Sequence, residues 1–293
     1  MKAIEIEKLT KFYGNARGIE NVDLSIEKGD FFGFIGPNGA GKSTTIRLLC
    51  GLIKADSGKA SIFGKDAWKD KTEILSGVGY LPSESAFYKG MTVAQVIDFS
   101  AKMRKKDCSA AAKELCERFA LDTARTVDSL SLGNRKKVGL VCALQHDPEL
   151  YILDEPTSGL DPLMQREFYT VLKERNEKGA TVFLSSHVLS EIARYCKTAA
   201  VIREGRILVC DSVDKLGHTG VKRVSLRGLR ESINIEGIKD VRSENESVSF
   251  LYDGNVKMLL DALAKMDIAD LNISDPELDE IFMHYYEKGE NAR

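Results

Sequence analysis

The sequence predicts an α/β protein: a parallel sheet organised around a phosphate-binding loop, with antiparallel strands before it, a helical insertion within it and a small α+β appendage after it. Three observations predict this. An apolar run at 31–35 leads into Gly36-Pro37-Asn38-Gly39-Ala40-Gly41-Lys42-Ser43, and a helical pattern follows at 44–50. Two more apolar runs, Leu150-Tyr151-Ile152-Leu153 and Thr181-Val182-Phe183-Leu184, are separated by a helical pattern, the alternation that builds parallel sheets. Residues 83–147 instead carry helical periodicity without strands.

Taken in order, residues 2–8 and 19–26 alternate apolar and polar, as half-buried antiparallel strands do, with a turn at 11–15 that carries Phe12 and Tyr13. Short strands and turns fill about 55–80. Thr92-Val93-Ala94-Gln95 reads as a capping box that opens a helix, and Ser109 opens a second with Ala112, Leu115, Cys116 and Phe119 at helical spacing. Asp161-Pro162 places an N-cap and an N1 proline before Met164, Phe168, Val171 and Leu172, and Gly179 ends that helix. Strands are expected at 199–202 and 206–209. The character changes near 215–220, after which strands at 222–226, 238–243 and 247–252 and a helix at 255–265 are expected. Asp275-Pro276 should cap a last helix with Leu278, Ile281, Phe282 and Tyr285 on one face. The expected domains are therefore 1–217 and 218–293.

The 293 residues are 43% hydrophobic and 29% charged, with a net charge of −2, so bulk charge does not suggest a nucleic-acid partner. The charged, alternating N-terminus does not read as a signal peptide, and no apolar run approaches the roughly 18–20 residues that span a bilayer. If the chain works at a membrane, another subunit must cross it. Six scattered cysteines with no C-x-x-C pair are expected to be reduced and mostly buried, as in a cytosolic protein.

The chemistry of the loop points to a nucleoside triphosphate. Gly36, Gly39 and Gly41 let the backbone curl and aim N–H groups at phosphate oxygens, and the next helix presents its positive end to them. Lys42 adds a charge on the β/γ-phosphates, and the Ser43 hydroxyl suits Mg²⁺. Leu150 to Glu155 is an apolar strand ending in two carboxylates. Asp154 is expected to hold Mg²⁺ through water, and Glu155 to act as general base on the attacking water. Leu130-Ser131-Leu132-Gly133-Asn134 is a Ser/Gly turn before a helix, suited either to an anion or to ordinary capping. His187 follows a strand in Leu184-Ser185-Ser186-His187 and is placed to hydrogen-bond a γ-phosphate. His146, His218 and His284 have no comparable setting.

In this order and spacing, these pieces resemble the nucleotide-binding subunit of an ABC transporter, across about residues 2–215. The resemblance implies Walker A at Gly36 to Ser43 with Thr44 beside it, the signature at Leu130 to Asn134, and Walker B at Leu150 to Glu155. It further implies a D-loop at Ser158-Gly159-Leu160-Asp161, a switch histidine at His187 and an adenine-stacking aromatic at Tyr13. The subfamily it is most similar to is the ABC-2-type exporter ATPases. The fold implied is that of a P-loop NTPase with an antiparallel β subdomain and a helical subdomain at about 83–147.

The resemblance implies that two copies close as a homodimer around two ATPs, each held by Lys42 of one chain and by Ser131 and Gly133 of the other, with Asp161 acting across the interface. It implies hydrolysis aided by Glu155 and His187, a separate integral membrane permease, and a cytoplasmic location on the inner face of the membrane. Two departures stand out. Ser83 occupies the position where the family usually has Gln, leaving Ser83 or the adjacent Glu84 to reach Mg²⁺, and the signature carries Leu132 and Asn134 where Gly and Gln are commoner. The apolar stretch Ala86 to Met91 either helps receive a permease helix or only packs the insertion. An ATP-gated clamp on a macromolecule is the alternative function, but the chain lacks the long coiled coils, fused second ATPase and basic excess of that class. A non-catalytic regulator is disfavoured by the presence of both Glu155 and His187.

Overall fold

The structure, a computed structural model, describes residues 1–217, 221–228, 233, 235–244 and 247–274. The chain divides into two units, Met1–Asp211 and Ser212–Arg293.

The first unit opens with a long hairpin of β1 (Lys2–Tyr13) and β2 (Ala16–Glu27). The turn expected at 11–15 shrinks to Gly14-Asn15, with Gly14 at φ 59°. Lys11, Phe12 and Tyr13 stay extended because Asp56 accepts the Phe12 N–H at 2.7 Å and pairs with the Lys11 ammonium at 2.8 Å. The fully buried β3 (Phe31–Ile35) then runs into α1 (Lys42–Leu49). Next come β4 (Ser57–Ile62), β5 (Lys65–Asp66), α2 (Lys71–Gly77) and β6 (Val78–Leu81). The strands β2-β1-β4-β5 form an antiparallel sheet. Helix α2 departs from the expected strands and turns; at seven residues it is too short for a periodic signal.

The helical insertion contains α3 (Val93–Met103), α4 (Ser109–Arg118) and α5 (Leu132–Leu144). The capping box is present: Thr92 Oγ1 accepts the Gln95 N–H at 3.2 Å, and Gln95 Oε1 accepts the Thr92 N–H at 2.8 Å. Helix α4 has Cys108 rather than Ser109 at its N-cap, and Asp107 accepts the Ser109 N–H. Helix α5 starts at Leu132 with Ser131 as its cap, since the Ser131 hydroxyl accepts the Asn134 N–H at 3.3 Å.

Then follow β7 (Leu150–Asp154), α6 (Pro162–Glu177), β8 (Thr181–Ser186), the unexpected short α7 (Leu189–Tyr195), β9 (Thr198–Arg203) and β10 (Arg206–Ser212). The second sheet has the order β10-β9-β3-β8-β7-β6, with β3 parallel to β8 and β9, and β7 parallel to β8 and β6. Its inner strands β3, β7 and β8 are buried along their whole length because both faces are covered, as parallel sheets require, whereas the edge strand β10 alternates exposed and half-buried residues. Phe34 and Phe183 meet at 5.5 Å between ring centroids, in a core that also holds Ile152, Ile46 and Leu49. Register decides the rest. Ile35 lies opposite Ser186, and Asp154 opposite Ser185, so the loops after β3, β7 and β8 leave one edge of the sheet side by side.

Cys50, Cys108, Cys116 and Cys196 are buried, Cys142 is half-buried and Cys210 exposed, all as free thiols. Burial pushes the Cys50 thiol up to about 12, so it is inert at neutral pH.

The second unit has α8 (Val213–Gly217), β11 (Val221–Arg227), β12 (Ile238–Glu244), β13 (Ser247–Asp253), α9 (Val256–Leu263) and β14 (Asp270–Ser274). Strand β14 adds an edge that the sequence pattern did not reveal, completing an antiparallel sheet in the order β12-β13-β11-β14. Leu259 and Leu263 of α9 pack on Val224, Leu226, Phe250 and Tyr252. The helix expected after Asp275-Pro276 lies outside the described residues. Among the described residues no helix is long and apolar enough to cross a membrane.

Candidate active site

The loop after β3 folds as its glycines require. A Cβ on Gly36 would lie 2.3 Å from the Ile202 carbonyl oxygen. Gly41 sits at φ +109°, where a Cβ would meet Ile19 at 2.7 Å and the Gly18 carbonyl at 2.8 Å. Gly41 is also the N-cap of α1 and supplies no side-chain bond, which leaves the first-turn N–H groups to a ligand. The Lys42 ammonium, 6% exposed, donates to the carbonyls of Gly36 at 2.6 Å and Pro37 at 3.2 Å. It also pairs with Glu155 Oε1 at 3.1 Å.

The two carboxylates at the end of β7 have different surroundings. Asp154 is buried, and its Oδ1 accepts from the Ser185 hydroxyl at 2.6 Å. The same hydroxyl accepts the Glu155 N–H at 3.1 Å, fixing the strand end. Glu155 adopts a left-handed backbone at φ 48°, an uncommon state for a side chain of this size that recurs at functional positions. Its Oε2 meets His187 Nδ1 at 2.8 Å. Its Oε1 is buried with an ion-pair contact to Lys42 but no hydrogen bond. Glu155 thus stands between the ammonium and the imidazole.

A cavity of about 290 Å³ is lined by Tyr13, Pro37, Asn38, Gly39, Ala40, Gly41, Lys42, Ser43, Thr44, Ser83 and Glu155, together with Arg17 and Gly18. Eleven residues expected at the site are therefore brought into one cavity. Gly36 and Asp154 lie outside its lining, the first reached by Lys42 and the second held by Ser185. His187 touches Glu155. Ser131, Gly133 and Asp161 do not line the cavity. Gly133 lies against the loop that leads to Asp161, since a Cβ there would be 2.5 Å from the Gly159 carbonyl oxygen. Asp161 caps α6 by accepting the Met164 N–H at 3.0 Å.

Four residues near the site were not legible from motifs. Arg17 and Gly18 reach it because β2 pairs back on β1, with Phe12 opposite Arg17. A Cβ on Gly18 would be 2.9 Å from the Tyr13 ring, so the glycine makes room for the aromatic. Ser185 follows from the register of β7 with β8. Lys136, buried in α5, donates to the Ser83 carbonyl at 2.7 Å. Burial pulls its ammonium below the usual lysine value, against the pull of Asp154, Glu155 and Glu84. A single basic residue in a basic helix start carries no sequence signal for that role.

Residues 19–158 match the family model described as ABC transporter. The bacitracin transport ATP-binding protein BcrA of Bacillus licheniformis is 41% identical over 211 residues, covering 70% of this chain and 68% of the relative. The linearmycin resistance ATP-binding protein LnrL of Bacillus subtilis (strain 168) is 29% identical over 304 residues, covering 96% and 97%. A solved structure of an ATP-binding subunit of an ABC transporter superposes with a TM-score of 0.68 at 30% identity, covering 73% of this chain and 91% of that one.

Proposed function

This chain belongs to the ABC transporter family as an ATP-binding subunit and ATPase, and from that premise we propose that it powers a separate ABC-2-type membrane permease exporting a peptide, drug or ion. The observation that carries the catalytic part is the contact of Glu155 with both Lys42, at 3.1 Å, and His187, at 2.8 Å.

ATP enters with its adenine on the half-exposed Tyr13 ring and its phosphates over the N–H groups of residues 38–44. The β/γ-phosphates replace Glu155 as the partner of the Lys42 ammonium. Released from the lysine, the Glu155 carboxylate accepts a proton from the attacking water, while His187 holds it in place and faces the γ-phosphate. The donor set suits Mg²⁺: Ser43 and Ser83 line the cavity beside Glu155, whose Oε1 has no hydrogen-bond partner, and Asp154 precedes Glu155 in the chain, so the side chains at hand offer hard oxygen ligands. Mg²⁺ bound there would neutralise charge that develops on the phosphates. Lys136 anchors the Ser83 loop to α5 and so links that loop to the helical insertion.

Ser131, Gly133 and Asp161 act on the ATP of a second copy. Their shared exclusion from the Lys42 cavity and the packing of Gly133 on Gly159 support that reading. Residues 1–217 are the ATPase domain, residues 218–293 an accessory domain that favours dimerisation. The permease takes the apolar surface where Tyr88, 70% exposed, meets the exposed Phe99 edge-on at 6.0 Å, beside Met103. The protein then works in the cytoplasm, peripheral to the membrane.

The test is size-exclusion chromatography with light scattering on Glu155→Gln, with and without Mg-ATP, beside its ATPase rate. Slow hydrolysis with ATP-dependent dimers is expected. Hydrolysis at the wild-type rate would remove Glu155 as the base, and a protein that stays monomeric with ATP would remove the two-copy site.

A further inference from the structure

We propose that Glu191 is a positioning residue for hydrolysis, tying the loop that carries Glu155 and Asp161 to the strand end that carries His187. This rests on the reading of Glu155 as base and His187 as its partner.

Glu191 lies in the first turn of α7 and does not line the cavity. Its Oε2 gathers three hydroxyl donors from three segments. Thr157 Oγ1 donates at 3.0 Å, Tyr169 OH at 2.9 Å and Ser186 Oγ at 3.3 Å. All three donors are buried. Thr157 is two residues beyond Glu155, Ser186 is next to His187, and Tyr169 belongs to α6, the helix capped by Asp161.

The chemistry suits a brace. An ionised carboxylate is acceptor-only and takes several donors at once, with charge-assisted strength. The Tyr169 ring is fixed by stacking on Tyr195 at 3.7 Å and 7° between planes, so its hydroxyl cannot swing away. Burial, and Glu191 beside it, push the Tyr169 phenol well above its usual value, which keeps it a donor. Ser186 is held on its other side, where its hydroxyl accepts the Val188 N–H at 2.9 Å. Removing the carboxylate strands the Thr157 and Tyr169 hydroxyls and frees residues 155–161 to shift against His187. Hydrolysis depends on the Glu155–His187 contact of 2.8 Å, and a displacement near 1 Å costs roughly 100-fold in rate.

The test measures kcat, KM for ATP and thermal stability for Glu191→Ala, Glu191→Gln and Thr157→Val, with Glu155→Gln as reference. Glu191→Ala should lower kcat by roughly 100-fold with KM nearly unchanged. Thr157→Val, nearly isosteric, should lower kcat about tenfold with KM nearly unchanged, alongside only the small drop in melting temperature that one lost hydrogen bond brings. Glu191→Gln keeps an acceptor oxygen and should recover most of the rate. Should Glu191→Ala fail to fold, Thr157→Val and Tyr169→Phe decide the matter through the same split between kcat and KM. Wild-type kcat in Thr157→Val and Tyr169→Phe, or a loss that appears in KM alone, overturns the proposal while an inactive Glu155→Gln leaves the base in place. An active Glu155→Gln overturns the base and the brace together.

Discussion

Replacing Lys42 with Met should destabilise the fold as well as weaken ATP binding, because the lysine neutralises a carboxylate that is largely withdrawn from solvent. Lys42 is 6% and Glu155 16% exposed, and their charges lie 3.1 Å apart. At an effective dielectric near 20 the attraction is about 5 kcal/mol before desolvation is charged against it. Breaking such a pair from one side costs about 3 kcal/mol, largely the penalty of an uncompensated buried charge. Glu155→Gln in the Lys42→Met background removes that charge and should restore about 2 kcal/mol, a coupling at the upper end of those between contacting groups. The assay is a double-mutant cycle by urea unfolding without nucleotide, with ATP binding measured by titration calorimetry. Stability should recover in the double variant while ATP affinity does not, since the phosphates still lack their lysine. A coupling below about 0.5 kcal/mol would refute the reasoning, because independent sites give that much.

Other outcomes follow from named contacts. Burial lowers the His146 imidazole to about 4, with its Nε2 3.3 Å from the Val78 carbonyl. Its folded value lies below its unfolded one near 6.5, so the unfolded chain takes up the proton first. Stability is full above about pH 6.5 and should fall by up to about 1.4 kcal/mol per unit towards pH 4, a slope that chemical denaturation should find flattened in His146→Gln. Gly41→Ala should cost more than about 2 kcal/mol in thermal melts and abolish ATP binding, since φ +109° and a 2.7 Å approach to Ile19 leave no room for a Cβ. Arg118 forks onto Glu174 at 2.7 and 2.9 Å and also bonds Glu167, joining α4 to α6. Arg118→Ala should cost about 2 kcal/mol in urea unfolding, and Arg118→Lys should recover less than half because an ammonium cannot make the fork.

What the sequence determined by itself was local: the loop from Gly36 to Ser43, the apolar strand before Asp154-Glu155, the Thr92 capping box and the Asp161 cap with Pro162. Each is a run of neighbours whose chemistry needs adjacency, so its signal survives without any knowledge of the fold. Helices α2 and α7 and strand β14 were not legible, because five to seven residues give too few repeats of any period. Tertiary structure alone decided the company these motifs keep. Arg17 and Gly18 reach the cavity through the β1–β2 register, Ser185 joins Asp154 to Glu155 through the β7–β8 register, and Lys136 reaches Ser83 from helix α5, 53 positions on. Glu191 gathers Thr157, Tyr169 and Ser186 from three segments. The physical reason is that strand register and helix packing bring together residues from separate elements, up to 53 positions apart for Lys136 and Ser83, and no local periodicity or spacing in the chain records such a contact.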